Sequence, residues 1–138
     1  MSWLIFALAS AVAAAATAIL AKIGVEGVPS TLATAFRTTI VLLIAWGLVA
    51  ILGEREALLS MPRRSWIFLS LSGIATGLSW LAYFRALQLG PASSVAPIDK
   101  LSLPLTIVLA AFVLGEPISW RVGAGVAMMT AGAMLTLT

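Results

Sequence analysis

SWLIFALASAVAAAATAILA, residues 2–21, runs for 20 residues without a charge. A helix that crosses the hydrocarbon core of a bilayer needs about 20 apolar residues at ~1.5 Å each, and this run meets that length. It shows none of the polar/apolar alternation of a barrel strand. Lipid offers no water to a bare backbone, so a helix is the structure that satisfies every N–H and C=O along such a run. Four more runs follow. Gly27–Gly53 holds one charge, Arg37; Ser65–Phe84 is another 20 residues without any; Ala86–Gly115 is apolar apart from Asp99–Lys100; Val122–Thr138 adds 17. These runs predict an all-α integral membrane protein, a bundle of five transmembrane helices. They fall roughly at residues 2–22, 30–52, 65–88, 92–114 and 120–138, in one transmembrane domain over residues 1–138.

The rest of the composition agrees. Hydrophobic residues make up 62% of the 138 and charged residues 9%, against about 25% charged in a soluble domain. So few charges cannot coat a soluble surface while five long apolar runs compete for burial. The connections are short: Lys22–Pro29, Glu54–Arg64, Gln88–Ser93 with its Gly90-Pro91 stop and restart, and Gly115-Glu116-Pro117. Short turns make neighbouring spans antiparallel. The first run has Ala-x-Ala sites but no Lys or Arg before it, and it is longer than a signal-peptide core, so an uncleaved first helix is expected.

Several function classes drop out. With no Cys and no His, there is no disulfide, no cysteine nucleophile, no Cys/His metal site and no imidazole proton carrier. A Ser/His/Asp set, a metal cluster and a phosphate loop are all missing. The chain reads as no enzyme, with no cofactor and no metal. Its net charge of +3 comes from eight basic and five acidic residues. The basic residues form no stripe, which argues against a nucleic-acid partner and for positive charge at a membrane face. Arg55, Arg63, Arg64 and Arg121 fall on one side, against Lys22 and the edge residue Arg85 on the other. Trp3, Trp66 and Trp120 begin helices on that first side. The bias puts the N-terminus in the cytoplasm and the C-terminus outside.

Ionisable residues inside spans mark functional sites by default, because they are expensive there. Arg37 and Asp99 each lie about seven residues from the outer end of their helices, roughly 10 Å deep. An Arg–Asp pair at equal depth is therefore possible. Lys100 is rotated about 100° from Asp99 and is not expected to share its direction. A polar cavity lined by Arg37, Asp99, Lys100 or Arg85 has an excess of positive charge and favours an anionic or zwitterionic solute. Read structurally instead, Arg37 and Asp99 lock two helices while Lys100 and Arg85 snorkel outward. Trp80 and Tyr83 can line the same pocket or simply fill a core. Pro97 and Pro104 bracket the charged pair on nearly one face, each removing a backbone bond, as in the broken helices of transporter sites. Asp99 and Glu116 are the acids to test for proton coupling. The small-residue stripes Gly73/Gly77, Ala7/Ala11/Ala15 and Gly123/Ala127/Ala131 suit close helix packing. The first two are expected to be used inside the chain and the last at a dimer surface.

The segment RALQLGPASSVAPIDKLSLPLTIVLAAFVLGEPISWRVGAGVAMMTAGAML, from Arg85 onward, resembles the EamA-type branch of the drug/metabolite transporter superfamily. The resemblance rests on Ala86, Leu87, Gly90, Ala92, Ser93, Pro104, Gly115, Glu116, Gly123 and Gly132. The helix AFRTTIVLL around Arg37 is similar to the family's Arg-containing helix. Many such proteins have ten spans in two inverted five-helix repeats and export amino acids, nucleobases or other metabolites. The resemblance thus implies an exporter of small metabolites or drugs in a bacterial or archaeal cytoplasmic membrane. As one repeat, the chain is expected to work by alternating access as a homodimer, parallel or antiparallel, with a small-molecule solute and the lipid bilayer as its partners. The more distant small multidrug resistance proteins carry a glutamate in their first helix, and residues 2–21 contain no acid. The other reading is a non-transporting membrane scaffold or accessory subunit.

Overall fold

The computed structural model describes residues 2–137. Thr138, the expected end of the last span, and the side chain of Arg55, one of the orientation charges, lie outside the described residues. The elements are α1 (Ser2–Gly24), α2 (Ser30–Leu52), α3 (Arg55–Leu59), α4 (Arg63–Leu89), α5 (Ala92–Asp99), α6 (Ser102–Leu109), a π-helical turn (Ala110–Leu114) and α7 (Trp120–Leu135). No strand occurs among the described residues. The protein is an all-α integral membrane protein.

Four stretches are long and apolar enough to cross a membrane: Trp3–Gly24, Ser30–Leu52, Arg63–Leu89 and Ala92–Leu114. Their most apolar windows are 0%, 0%, 6% and 0% buried within the chain, so lipid or another chain must be their solvent. The fifth expected span is shorter. α7 has 16 residues, about 24 Å of helix against a core of about 30 Å. It stops because Thr136 and Leu137 turn back, their N–H groups donating to Ala133 and Met134 O at 3.2 and 3.1 Å.

The chain forms two compact units, residues 20–88 and residues 1–19 with 89–138. In the first, the end of α1 turns through Gly27, whose φ of +72° is open to glycine without strain, into α2. Val25, Thr34, Phe84 and Leu87 are its buried residues. Two side chains fasten the α1–α2 turn to the end of α4. Lys22 Nζ donates to Leu87 O at 2.6 Å, taking one of the carbonyls a helix C-terminus leaves unpaired. Gln88 Nε2 donates to Val28 O and, at 3.5 Å, to Val25 O. α2 ends at Gly53 in the left-handed region. The short α3 occupies what reads in sequence as a plain loop. An apolar cavity of about 720 Å³ lies among Leu42, Trp46, Leu58, Trp66 and Leu69.

In the second unit the stretch from Ala92 to Leu114 is not one helix. α5 ends at Asp99 and α6 begins at Ser102. Across the break, Lys100 N donates to Ala96 O and Pro97 O at 3.3 and 3.1 Å, and Leu101 N to Ile98 O at 3.0 Å. α7 packs on α5 and α6, buries Ala133, and starts from Ser119, whose side chain caps Val122 N at 3.3 Å. The expectation that Gly73 and Gly77 pack inside the chain is overturned: a Cβ at either would meet nothing within 4 Å. Close backbone approach is the reason to spend a glycine in a membrane helix, and no neighbour in the chain makes that approach.

Candidate solute site

Arg37 sits on α2, and the face of α4 opposite it carries Trp80 and Phe84. The guanidinium carbon lies over the Trp80 ring, 4.3 Å from its centroid, and 5.5 Å from that of Phe84. Both distances are within cation–π reach. Phe84 is 3% exposed and so cannot move aside freely. Tyr83 meets Phe84 edge to face at 6.4 Å. One wall of the site is therefore aromatic, and one edge is a cation held roughly 10 Å from the start of α2.

Within this unit the Arg37 N–H groups meet no hydrogen-bond acceptor among the described residues. The flanking hydroxyls are turned to their own helix: Thr34 Oγ1 donates to Ser30 O at 2.8 Å and Thr38 Oγ1 to Thr34 O at 2.7 Å. A guanidinium offers five donors in a rigid fork. Cation–π contact with Trp80 consumes none of them.

Asp99 and Lys100 lie in the other unit, at the break between α5 and α6. Lys100 Nζ is 3.1 Å from Asp99 Oδ2. This corrects the expectation that successive helix positions keep the two apart. Lys100 keeps right-handed backbone at the end of α5 (φ −72°, ψ −7°), so it is the reach of the long lysine stem that brings its Nζ to the neighbouring carboxylate. Lys100 and Asp99 are 54% and 34% exposed, which makes this a weak, screened pair. Pro97 lies inside α5. Pro104 falls in the first turn of α6, where its missing N–H costs nothing. Glu116 follows Gly115 in the non-helical stretch before α7, its N–H donating to Ala110 O at 3.3 Å. Arg85 Nη1 donates to Gln88 Oε1 at 3.0 Å.

Sequence reasoning names Arg37, Trp80 and Tyr83 but misses Phe84, Lys22 and Gln88. Phe84 and Gln88 carry a readable signal: positions 80, 84 and 88 recur at i+4 and share a face of α4. Lys22 has none, because its acceptor is a backbone carbonyl 65 residues away.

The whole of residues 1–138 matches the EamA-like transporter family. An uncharacterized transporter in the cobO 3′ region of a Sinorhizobium species is 47% identical over 134 residues, covering 97% of this chain and 95% of that protein. No solved structure matches the chain. A long apolar helical chain with a cation held inside a span, alike to this family from end to end, belongs to the EamA-like transporter family.

Proposed function

We propose that the protein is a carrier that exports small metabolites or drugs by alternating access, as a dimer of five-helix subunits. It sits in a bacterial or archaeal cytoplasmic membrane with its N-terminus in the cytoplasm. The observation that carries the reading is Arg37: a charge inside a span, mounted on Trp80 at 4.3 Å, with no hydrogen-bond acceptor in its unit. Keeping such a group is costly unless it does something. Family membership supports transport. The relative described as a transporter aligns over 95% of its own length, which supports a subunit of this size. Outward direction follows from the resemblance noted in the sequence.

Solute contacts are assigned to Arg37, Trp80 and Tyr83 in one unit, and to Asp99 and Lys100 in the other. Pro97 and Pro104 frame the point at which the fourth span bends during the transport cycle. Asp99 is the first candidate for proton coupling and Glu116 the second.

The test is thermal stability of the protein in nanodiscs against a metabolite panel, followed by flux of any hit in proteoliposomes. A stabilising solute, lost in Arg37→Ala or Asp99→Asn with folding intact, is expected. If nothing stabilises the protein and both variants fold and assemble as before, a non-transporting scaffold is the better description. Coupling is read from the pH-gradient dependence of flux. Dependence that survives in Asp99→Asn removes Asp99 from that role.

A further inference from the structure

We propose that Arg37 is the anchor for one carboxylate group, so that the solutes taken at this site are monocarboxylates with an apolar body. The assignment rests on the carrier reading of the same site and narrows it to a chemical class. Three observations within residues 20–88 lead there.

First, the guanidinium is held by aromatic rings and not by hydrogen bonds to described residues. Trp80 at 4.3 Å and Phe84 at 5.5 Å hold it by cation–π contact, which consumes no N–H donors. Salt-bridged arginines are held the other way, through the fork. A planar fork with free donors suits a planar two-oxygen acceptor, which it can bind through two parallel hydrogen bonds.

Second, the donors left over suit a single planar anionic group. Lys22 and Arg85, the other cations near this end of the unit, already donate to Leu87 O at 2.6 Å and to Gln88 Oε1 at 3.0 Å. One uncommitted guanidinium matches a carboxylate. A phosphate dianion or a dicarboxylate would bring more acceptor oxygens into a span than one fork can satisfy.

Third, the surroundings are apolar. Trp80 and Tyr83 are half-buried, and Phe84 is buried beneath them. The hydroxyls of Thr34 and Thr38 are already donating to backbone carbonyls. Past the carboxylate, the Trp80 and Phe84 rings offer a solute mainly apolar surface.

The experiment uses the full chain in nanodiscs with four matched probes: butyrate, butyramide, butylamine and methyl phosphate. Binding is read by calorimetric titration and by the thermal unfolding midpoint. Butyrate should bind and stabilise, and the amide, amine and phosphate ester should each bind about tenfold more weakly or worse. Arg37→Gln should lose about tenfold or more in butyrate affinity, the scale of a charge-assisted bidentate contact. Arg37→Lys, which keeps the charge and loses the fork, should fall between the two. It also serves as the informative variant if Arg37→Gln does not fold. Equal binding of butyramide, preference for methyl phosphate, or unchanged butyrate affinity in either variant overturns the assignment. Flux separates this idea from the one beneath it. Transport of neutral or cationic solutes, unchanged in Arg37→Gln, leaves the carrier and sinks the carboxylate anchor. Arg37-dependent butyrate binding, with no solute moved across the bilayer, leaves the anchor and sinks the carrier.

Discussion

A guanidinium roughly 10 Å inside a span must be solvated by something other than lipid tails, and Trp80 does most of that for Arg37. Trp80→Leu removes the ring while keeping an apolar side chain of helix-forming type. It should cost about 1–2 kcal/mol, the range of a partly desolvated cation–π contact. Trp80→Phe should cost less than half of that. The check is the unfolding midpoint of each variant in the same detergent, and equal midpoints for the two would show that the ring only fills space. The Gln88 amide acts at the same scale. It spans from α4 to the carbonyls of Val25 and Val28, and since Val25 O also accepts from Val28 N, Gln88→Ala leaves the half-buried Val28 carbonyl short of a donor. A loss of about 1–2 kcal/mol is expected, seen as faster amide exchange over the α1–α2 turn and no change at α7. An arginine, a tryptophan and their i+4 partners can be read from residue types and spacing. Lys22 on Leu87 O cannot, since every residue has a carbonyl and nothing in the chain marks which one α4 will leave unpaired.

The fourth span shows what prolines do and do not reveal about an element. Pro97 and Pro104 mark the span as weak, and their spacing brackets the weakness, but the break itself falls at Lys100–Leu101. The reason is local. The Pro104 ring crowds the carbonyl four residues earlier, that of Lys100. That carbonyl turns to accept from Leu103 N at 3.0 Å instead, and α6 restarts with Pro104 in its first turn. Pro97→Ala restores an N–H to the ladder of α5 without touching that cause. It should raise stability by up to about 3 kcal/mol and slow amide exchange over Ser93–Asp99, with the break unmoved. If the break serves as a hinge in transport, flux should fall in Pro104→Ala more than in Pro97→Ala. Gly115 is a cleaner case. Its φ is +69°, and a Cβ there would meet nothing within 4 Å. Gly115→Ala therefore pays only for left-handed backbone, about 1–2 kcal/mol, and a Gly115→Asn variant should recover part of it. α3 goes unread in the sequence for the opposite reason. Its five residues are too few to show a helical period against the surrounding charges.

At the scale of the whole chain, the open question is what covers the apolar helices. Their windows are buried by 6% or less. Lipid can cover leucine and phenylalanine as well as protein can, but it has no use for glycine. Gly123 lies in the first half of α7, with open space around it and Ala127 and Ala131 on the same face. If a second copy packs there, Gly123→Leu sets two effects against each other. Within one chain the change meets no neighbour and gains helix propensity, about 0.5–1 kcal/mol, so α7 should be at least as stable. Between chains it forces apart backbones that a small residue lets approach, and association should weaken. The expected result is unchanged or higher helicity by circular dichroism together with a severalfold loss of cross-linked dimer in native membranes. Gly73→Leu on α4 provides the comparison, since it is equally unobstructed within the chain and belongs to a different helix. Dimer retained in Gly123→Leu and lost in Gly73→Leu would move the interface to α4. Dimer retained in both would place the interface away from these glycines, and only the absence of any cross-linked dimer in the unsubstituted protein would require the two-subunit carrier to be abandoned.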